Sequence, residues 1–367
     1  MRRWAIVAAA AVLLAGCSAQ SASYGATVAA PDGAGSSCTP DQPCALVTAI
    51  ARAPEGGTVE LLDGDYGDLT VTEAANSVTV TPAVDAEPVL GKLDLAASGT
   101  AWVDLDFTGG IYLDVGADGT ELRDVRVIGS GVFVHGDDVV ISGAVIRGGT
   151  SIDGIQVGGA TGLTVENSWV GGFGQGEDSD VHADCVQLFD SSEIVLRGNY
   201  FGGCDNAALI FSPGAGTGIS AVTVEGNFLQ GCVDKDDERC SQGTALDLRA
   251  NTTDVVVRNN TMLDGSVMVE PLPGLVFDRN IVGYASNCAM PMTNSIVIAW
   301  NTGKCDTPDA VGSAGNRVGA VEVADRAAGD LSPVDPAQVR IEPDGGSSAP
   351  SGFGGGDLSD DQAGAGG

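Results

Sequence analysis

The chain has 367 residues, with 49 acidic and 17 basic side chains and a net charge of −32 at neutral pH. That balance excludes nucleic acid as a natural partner and excludes adhesion to an anionic surface by charge alone. It also disfavours an acidic polysaccharide, unless a local basic patch or a bound cation intervenes.

The N-terminus reads as a targeting segment. Arg2 and Arg3 form a charged start, and residues 4–14 are an apolar run. That run is too short for a spanning helix, which needs about 20 residues. Leu14-Ala15-Gly16-Cys17 follows, and it resembles the bacterial lipobox. The resemblance implies removal of residues 1–16, acylation (diacylglyceryl and palmitate) of Cys17, and anchoring to the cell membrane by lipid. The alternative is an ordinary secretory signal with an incidental Cys. Residues 17–37 are then expected to be a lipidated tether.

Residues 45–53 carry helical spacing in Leu46, Ala49 and Ile50 after Pro43-Cys44. A helix is predicted there, as a cap for the structure that follows. Alternation in Thr58-Val59-Glu60-Leu61-Leu62 and in Leu69-Thr70-Val71 predicts the first strands. From residue 78 to 149 short alternating runs repeat at steps of about 20 residues.

One phrase then recurs: VENSWVGG from Val165, LRGNYFGG from Leu196, VEGNFLQG from Val224, VRNNTMLDG from Val257, FDRNIVG from Phe277 and IAWNTG from Ile298. Its Asn column is Asn199, Asn227, Asn260, Asn280 and Asn301, with Ser168 in the first copy. Asn tolerates left-handed backbone at a bend, and its amide can bond the Asn of the next repeat. Such a period with short strands means a solenoid, whose coils must stack to bury their apolar faces. The pattern resembles a right-handed parallel β-helix of the pectate-lyase type. The expected fold is all-β, with about ten coils over residues 38–310. Residues 311–367 form a terminal cap and an acidic Gly/Ser-rich disordered tail. Residues 31–67 resemble the entry segment of exported β-helix proteins.

Setting Cys17 aside leaves eight of the nine cysteines. Eight allow on the order of 100 pairings. Contact between neighbouring coils favours the sequential set: Cys38 with Cys44, Cys185 with Cys204, Cys232 with Cys240, and Cys288 with Cys305. Four disulfides imply an oxidising compartment.

Long connections over residues 171–184, 212–220 and 232–244 interrupt successive coils and are expected to cluster beside a binding face. Alternation places Asp114, His135, Gln156 and Gln187 outward as a polar stripe, with Leu113, Val134, Ile155, Val186 and Met268 inward. Asp247 also faces outward, with Arg249 two residues beyond. The frame D-x-[IV]-Q occurs twice, from Asp153 to Gln156 and from Asp184 to Gln187. One rung apart, the two carboxylates repel and need a shared proton, a metal or an Arg. The plain alternative is that both sit at turn entries and accept backbone N–H bonds. His182, in H-x-D-x-x-Q, joins the acidic pair. The H-x-D-x-x-Q phrase resembles one common in exported bacterial β-helix proteins, and the polygalacturonase-type motif set is missing.

Candidate catalytic residues are therefore His182, Asp184, Asp153 and Arg249. Candidate substrate-binding residues are Gln156, Gln187, His135, Asp247, Trp169 and Phe173, the last two as exposed aromatics. Asp178 and Asp180 are candidate Ca2+ ligands, the cation that pectate-lyase-like enzymes use. The expected protein is a monomeric surface lipoprotein that binds a polysaccharide and cleaves it as a lyase or hydrolase. A noncatalytic glycan- or surface-binding lipoprotein is the other reading.

Overall fold

The computed structural model describes residues 26–74, 76–176, 181–214, 216–232 and 243–339. The chain is a right-handed parallel β-helix whose strands fall into a 13-stranded and a 20-stranded sheet. The larger sheet holds two stacks of strands, so each coil contributes to three stacks. One coil runs Glu121–Arg123, Arg126–Ile128, Val132–Val134, and the next runs Val140–Ser142, Val145–Thr150, Ile155–Gly158. The register places Leu122 on Ile141, Val127 on Ile146 and Val132 on Ile155. Every one of these six side chains is buried. The core is thus a set of like-on-like columns, each full Val, Leu or Ile burial stabilising by about 1.5–3 kcal/mol.

The bend between the first and second stacks takes two residues. The leading one is left-handed: φ is 55° at Asp104, 54° at Asp124, 50° at Asn167 and 55° at Asn259, with Gly143, Gly198 and Gly226 in the same place. The column Asn is the second residue and is not the left-handed one, contrary to expectation. It points into the coil, where Leu105, Val125 and Ala144 precede it as apolar members. Its role is hydrogen bonding. The Ser168 N–H donates to Asn199 Oδ1 at 2.9 Å, Asn199 N–H to Asn227 Oδ1 at 2.9 Å, Asn227 N–H to Asn260 Oδ1 at 2.9 Å, and Asn260 N–H to Asn280 Oδ1 at 3.0 Å. Each Asn amide also donates back to a carbonyl, as Asn227 Nδ2 does to Leu196 O at 2.9 Å. The column continues through Ser295 to Asn316, so Asn301 is not a member. The Asn301 side chain instead accepts a local bond, from the Gly303 N–H to its Oδ1. The repeat shortens here, and Met292-Thr293-Asn294-Ser295 is the true copy of the phrase.

Helix Leu46–Arg52 forms as expected and buries Leu46, Ala49 and Ile50. The expected tether is shorter than residues 17–37, because Thr27–Ala29 already pairs in parallel with Gly57–Leu61. Cys38–Cys44, Cys185–Cys204 and Cys288–Cys305 are disulfides. Cys240, expected on Cys232, lies outside the described residues, as do Cys17 and the targeting segment. Among the described residues no helix is long and apolar enough to cross a membrane. At the far end Arg317–Val318 adds to Ile296–Trp300. The chain then folds back as an antiparallel pair, Val323–Asp325 with Asp330–Pro333. This strap buries Leu331 and Val339 against Tyr200, Phe228, Leu263, Ile281 and Ile296.

The column makes a sharp expectation. Asn227→Ala strips partners from the Asn199 amide and from Leu196 O, all buried, and should cost about 2–4 kcal/mol. Asn301→Ala should cost under about 1 kcal/mol. Urea unfolding midpoints of the two variants test the assignment, and equal costs would contradict it.

Candidate functional site

The outward face of the third stack carries one column in register. It runs Thr70, Asp94, Tyr112, Phe133, Gln156, Gln187, Ile210, Asp247, Met268. Gln156 and Gln187 are side by side as the repeated frame predicts. Asp114 and His135 are not in this column, and Tyr112 and Phe133 hold the places given to them. The register is shifted by two residues in those coils, which leaves the alternation unchanged and so invisible to it. Leu113 and Val134 point inward as expected but align with Val157 rather than Ile155. His135 lies past its strand, where its Nδ1–H donates to Gly158 O at 2.7 Å. Met268 faces outward and Val269 is buried, the reverse of the expectation.

Tyr112 and Phe133 stack face to face, with centroids 4.6 Å apart and planes at 14°. The Lys92 ammonium covers the Tyr112 ring at 5.4 Å and pairs with Asp94 at 2.7 Å. Each ring therefore spends a face on its partner, and Tyr112 also meets Lys92.

Asp153 and Asp184 each stand two residues before a third-stack strand, and pairing of Ile155 with Val186 makes them neighbours. The Asp184 N–H donates to Asp153 Oδ1 at 2.8 Å, and Gln156 Nε2 donates to Asp153 Oδ2 at 2.9 Å. Asn206 Nδ2 donates to Asp184 Oδ1 at 2.8 Å, and the Ala207 N–H also donates to this carboxylate. Gln156 Nε2 reaches Gln187 Oε1 at 3.4 Å, and Gln187 Nε2 reaches Ser212 Oγ at 3.2 Å. The pair does accept backbone N–H bonds, as turn carboxylates do, but it is far more buried than a turn requires. Asp153 is 6% exposed and Asp184 1%. Burial pushes Asp184 up to about 7, and the charges of Asp153 and Asp205 push the same way. Burial also raises Asp153, against the Asp184 N–H, the Gln156 amide and the charge of His182. Two adjacent buried carboxylates so placed each favour the protonated form, Asp184 above all. His182 is exposed beside them.

Asp205 and Asn206 are the members that sequence reasoning missed. They lack the D-x-[IV]-Q frame, and only the pairing of Cys204 with Cys185 signalled that they lie alongside Asp184.

Arg249 does not join this group. It chelates Asp247, Nε to Oδ1 at 2.6 Å with a second bond from its Nη2. Asp247 is two rungs beyond Gln187, which is about 10 Å along the stack. The ion pair raises the Arg249 pKa further, so this group is a fixed cation and not a base. Phe173, expected to be exposed, is 1% exposed and fills the core. Room for its ring comes from Gly149 and Gly154, where a Cβ would stand 2.8 and 2.9 Å from it. Trp169 is half-buried on the second stack, stacked on Tyr200 at 5.4 Å. Asp178 and Asp180 lie outside the described residues. Among the described residues no group of three His, Cys, Asp or Glu is placed to hold a metal ion.

The long connections do not share one edge. Those after Gly174 and after Gln230 enter the third stack, whereas the one after Phe211 leaves it. Their described ends thus meet the third stack at both of its edges. Clefts of about 840 and 920 Å³ lie elsewhere, one beside the C-terminal strap and one at the N-terminal cap. The carboxylate pair lines neither of these two clefts.

No protein-family model and no curated protein matches the sequence. Among solved structures, the pectate lyase Pel9A aligns at TM-score 0.52 and 11% identity, over 88% of this chain and 90% of that one. The mannuronan C-5 epimerase AlgE4 A-module of Azotobacter vinelandii aligns at TM-score 0.39 and 10% identity, over 72% and 89%. A GH136 lacto-N-biosidase from Eubacterium ramulus gives 0.44 and 9%, over 81% and 68%. The first of these likenesses, with the parallel stacks described above, establishes the pectate-lyase-like β-helix fold.

The pair carries a pH signature. The folded pKa of Asp184 lies above its unfolded value, so its contribution is full below about pH 4 and is lost as pH rises toward about 7. Asp184→Asn should remove part of that decline, so that wild type is the relatively less stable chain at pH 7. Thermal unfolding across this window tests it, and parallel stability curves for the two chains would exclude a proton on Asp184.

Proposed function

We propose that this protein is an exported lipoprotein that binds a polysaccharide along the outward face of the third stack and cleaves it there. One observation carries the reading: a buried carboxylate pair with raised pKa stands beside two half-buried glutamines of the outward column, Gln156 bonded directly to Asp153. Gln156 and Gln187 offer donors and acceptors to sugar hydroxyls, with His135 at the exit rim. Asp153, the more exposed of the pair, exchanges a proton with the glycosidic oxygen or the sugar. Asp184 lies behind it, holds the shared proton and acts through it. A carboxylic acid still protonated near neutral pH is the group that proton transfer to a leaving oxygen needs. His182 sits at the rim, where it can relay protons to solvent. Arg249 keeps Asp247 neutralised and takes no catalytic part.

The noncatalytic reading draws support from a different observation. Asp184 oxygens are occupied by Asn206 and Ala207, and Arg249 stays away from the group. The export reading rests on the disulfides, which form in oxidising compartments. Anchoring rests on Leu14-Ala15-Gly16-Cys17. The likeness to a pectate lyase supports a glycan as partner through the fold alone.

Purified protein should be presented with a glycan panel while new reducing ends and unsaturated product are followed. Asp153→Asn should lower turnover by about 100-fold or more, while Gln187→Ala should raise KM. Retention of a glycan without product, unchanged in Asp153→Asn, would leave only the binding reading. Separately, Cys17→Ala should move the protein from the membrane to the soluble fraction, and a protein that is soluble already would refute the anchor.

A further inference from the structure

We infer that the glycan taken by this face is uncharged. The inference rests on the reading just given and narrows it. Among the described residues, Lys92 and Arg249 are the cationic side chains that stand in or beside third-stack strands. Each is committed to a carboxylate of the same column, Lys92 to Asp94 at 2.7 Å and Arg249 to Asp247 through two bonds. Lys92 is further held over the Tyr112 ring. The face therefore presents its cations already neutralised.

Between these two pairs the described side chains are neutral or acidic apart from the rim imidazoles of His135 and His182, and the charge of His182 already acts on Asp153. The central rungs offer carboxamides, those of Gln156 and Gln187, with the Ser212 hydroxyl bonded to Gln187. Their entry edge is the carboxylate group Asp153, Asp184 and Asp205. A uronate placed on Gln156 would bring its charge against Asp153, where the nearest positive group, His182, already faces that carboxylate, inside a chain of net charge −32. Like charges brought together where water is partly excluded repel strongly. An uncharged sugar meets no such penalty, and its hydroxyl or acetamido groups match amides that both donate and accept. The same arrangement speaks against β-elimination. That reaction needs a uronate carboxyl on the substrate and a cation to neutralise it, and among the described residues of this face Lys92, Arg249 and His182 each already face a carboxylate. Proton transfer at the bond of a neutral glycan remains.

The test uses the full chain and measures retention by affinity electrophoresis. Probes are neutral polymers (glucan, mannan, xylan, galactan and an N-acetylhexosamine polymer) and anionic ones (polygalacturonate, alginate, hyaluronate), at low salt and at 0.5 M NaCl, each with and without Ca2+. The expected result is retention of a neutral polymer, changed by less than about twofold by salt and lost in Gln187→Ala. Asp94→Asn, which unpairs Lys92, should add weak, salt-sensitive retention of polygalacturonate that the natural chain lacks. An anionic polymer retained by the natural chain and lost in Gln187→Ala would overturn the inference while leaving the face as the binding site. Retention that persists in Gln187→Ala, or no retention of any probe, would overturn the face itself and the inference with it.

Discussion

From Ser168 onward the parallel coils of this molecule are held in register by a line of buried hydrogen-bonding side chains, chiefly Asn amides. Where the chain turns from the first stack to the second, backbone N–H groups leave the strand ladder and enter a dry interior. An unpaired N–H there would cost about 1–3 kcal/mol. The side-chain oxygen of the next coil's Asn or Ser accepts it, and the Asn amide returns a hydrogen to a carbonyl of the preceding coil. Each Asn satisfies groups on two coils, so a shift of one coil by one residue would orphan several at once. That penalty is what makes the stack unique, since apolar columns alone accept slippage by two residues.

The same register builds the candidate site, but with charge in place of amides. Two aspartates also accept a backbone N–H from a neighbouring coil, but from one rung on rather than one rung back, as Asp153 does from Asp184. A neutral amide in that place would be fully satisfied and inert. A carboxylate cannot be, because its neighbour is another carboxylate and burial removes the solvent that would shield them. The molecule therefore uses one construction principle twice, once for rigidity and once for a pair whose ionisation is unsettled at neutral pH.

Much of this was legible in the sequence for a physical reason: a solenoid repeats its local chemistry, so the phrase exposes the coil, its bend and its inward column. The D-x-[IV]-Q frames revealed Asp153, Asp184, Gln156 and Gln187 by the same logic. What failed to show was what repetition does not encode. Asp114 and His135 were displaced because a two-residue shift preserves alternation. Asn301 stood in for Ser295 because serine can accept the same bond and the spacing had shortened. Phe173 was buried by Gly149 and Gly154, glycines whose meaning depends on a ring from the next coil. Asp205 came into the group by stacking, with no motif of its own.

The disulfide between Cys185 and Cys204 has a position that bears on when the site can exist. Cys185 follows Asp184 and Cys204 precedes Asp205, so the covalent bridge sits between two of the three crowded carboxylates. Electrostatics drives those coils apart, and the sulfur link holds them together. In a reducing compartment the link is open, and the repulsion is then opposed only by strand pairing. The carboxylate group is consequently complete only under oxidising conditions, where the link between its two coils is closed.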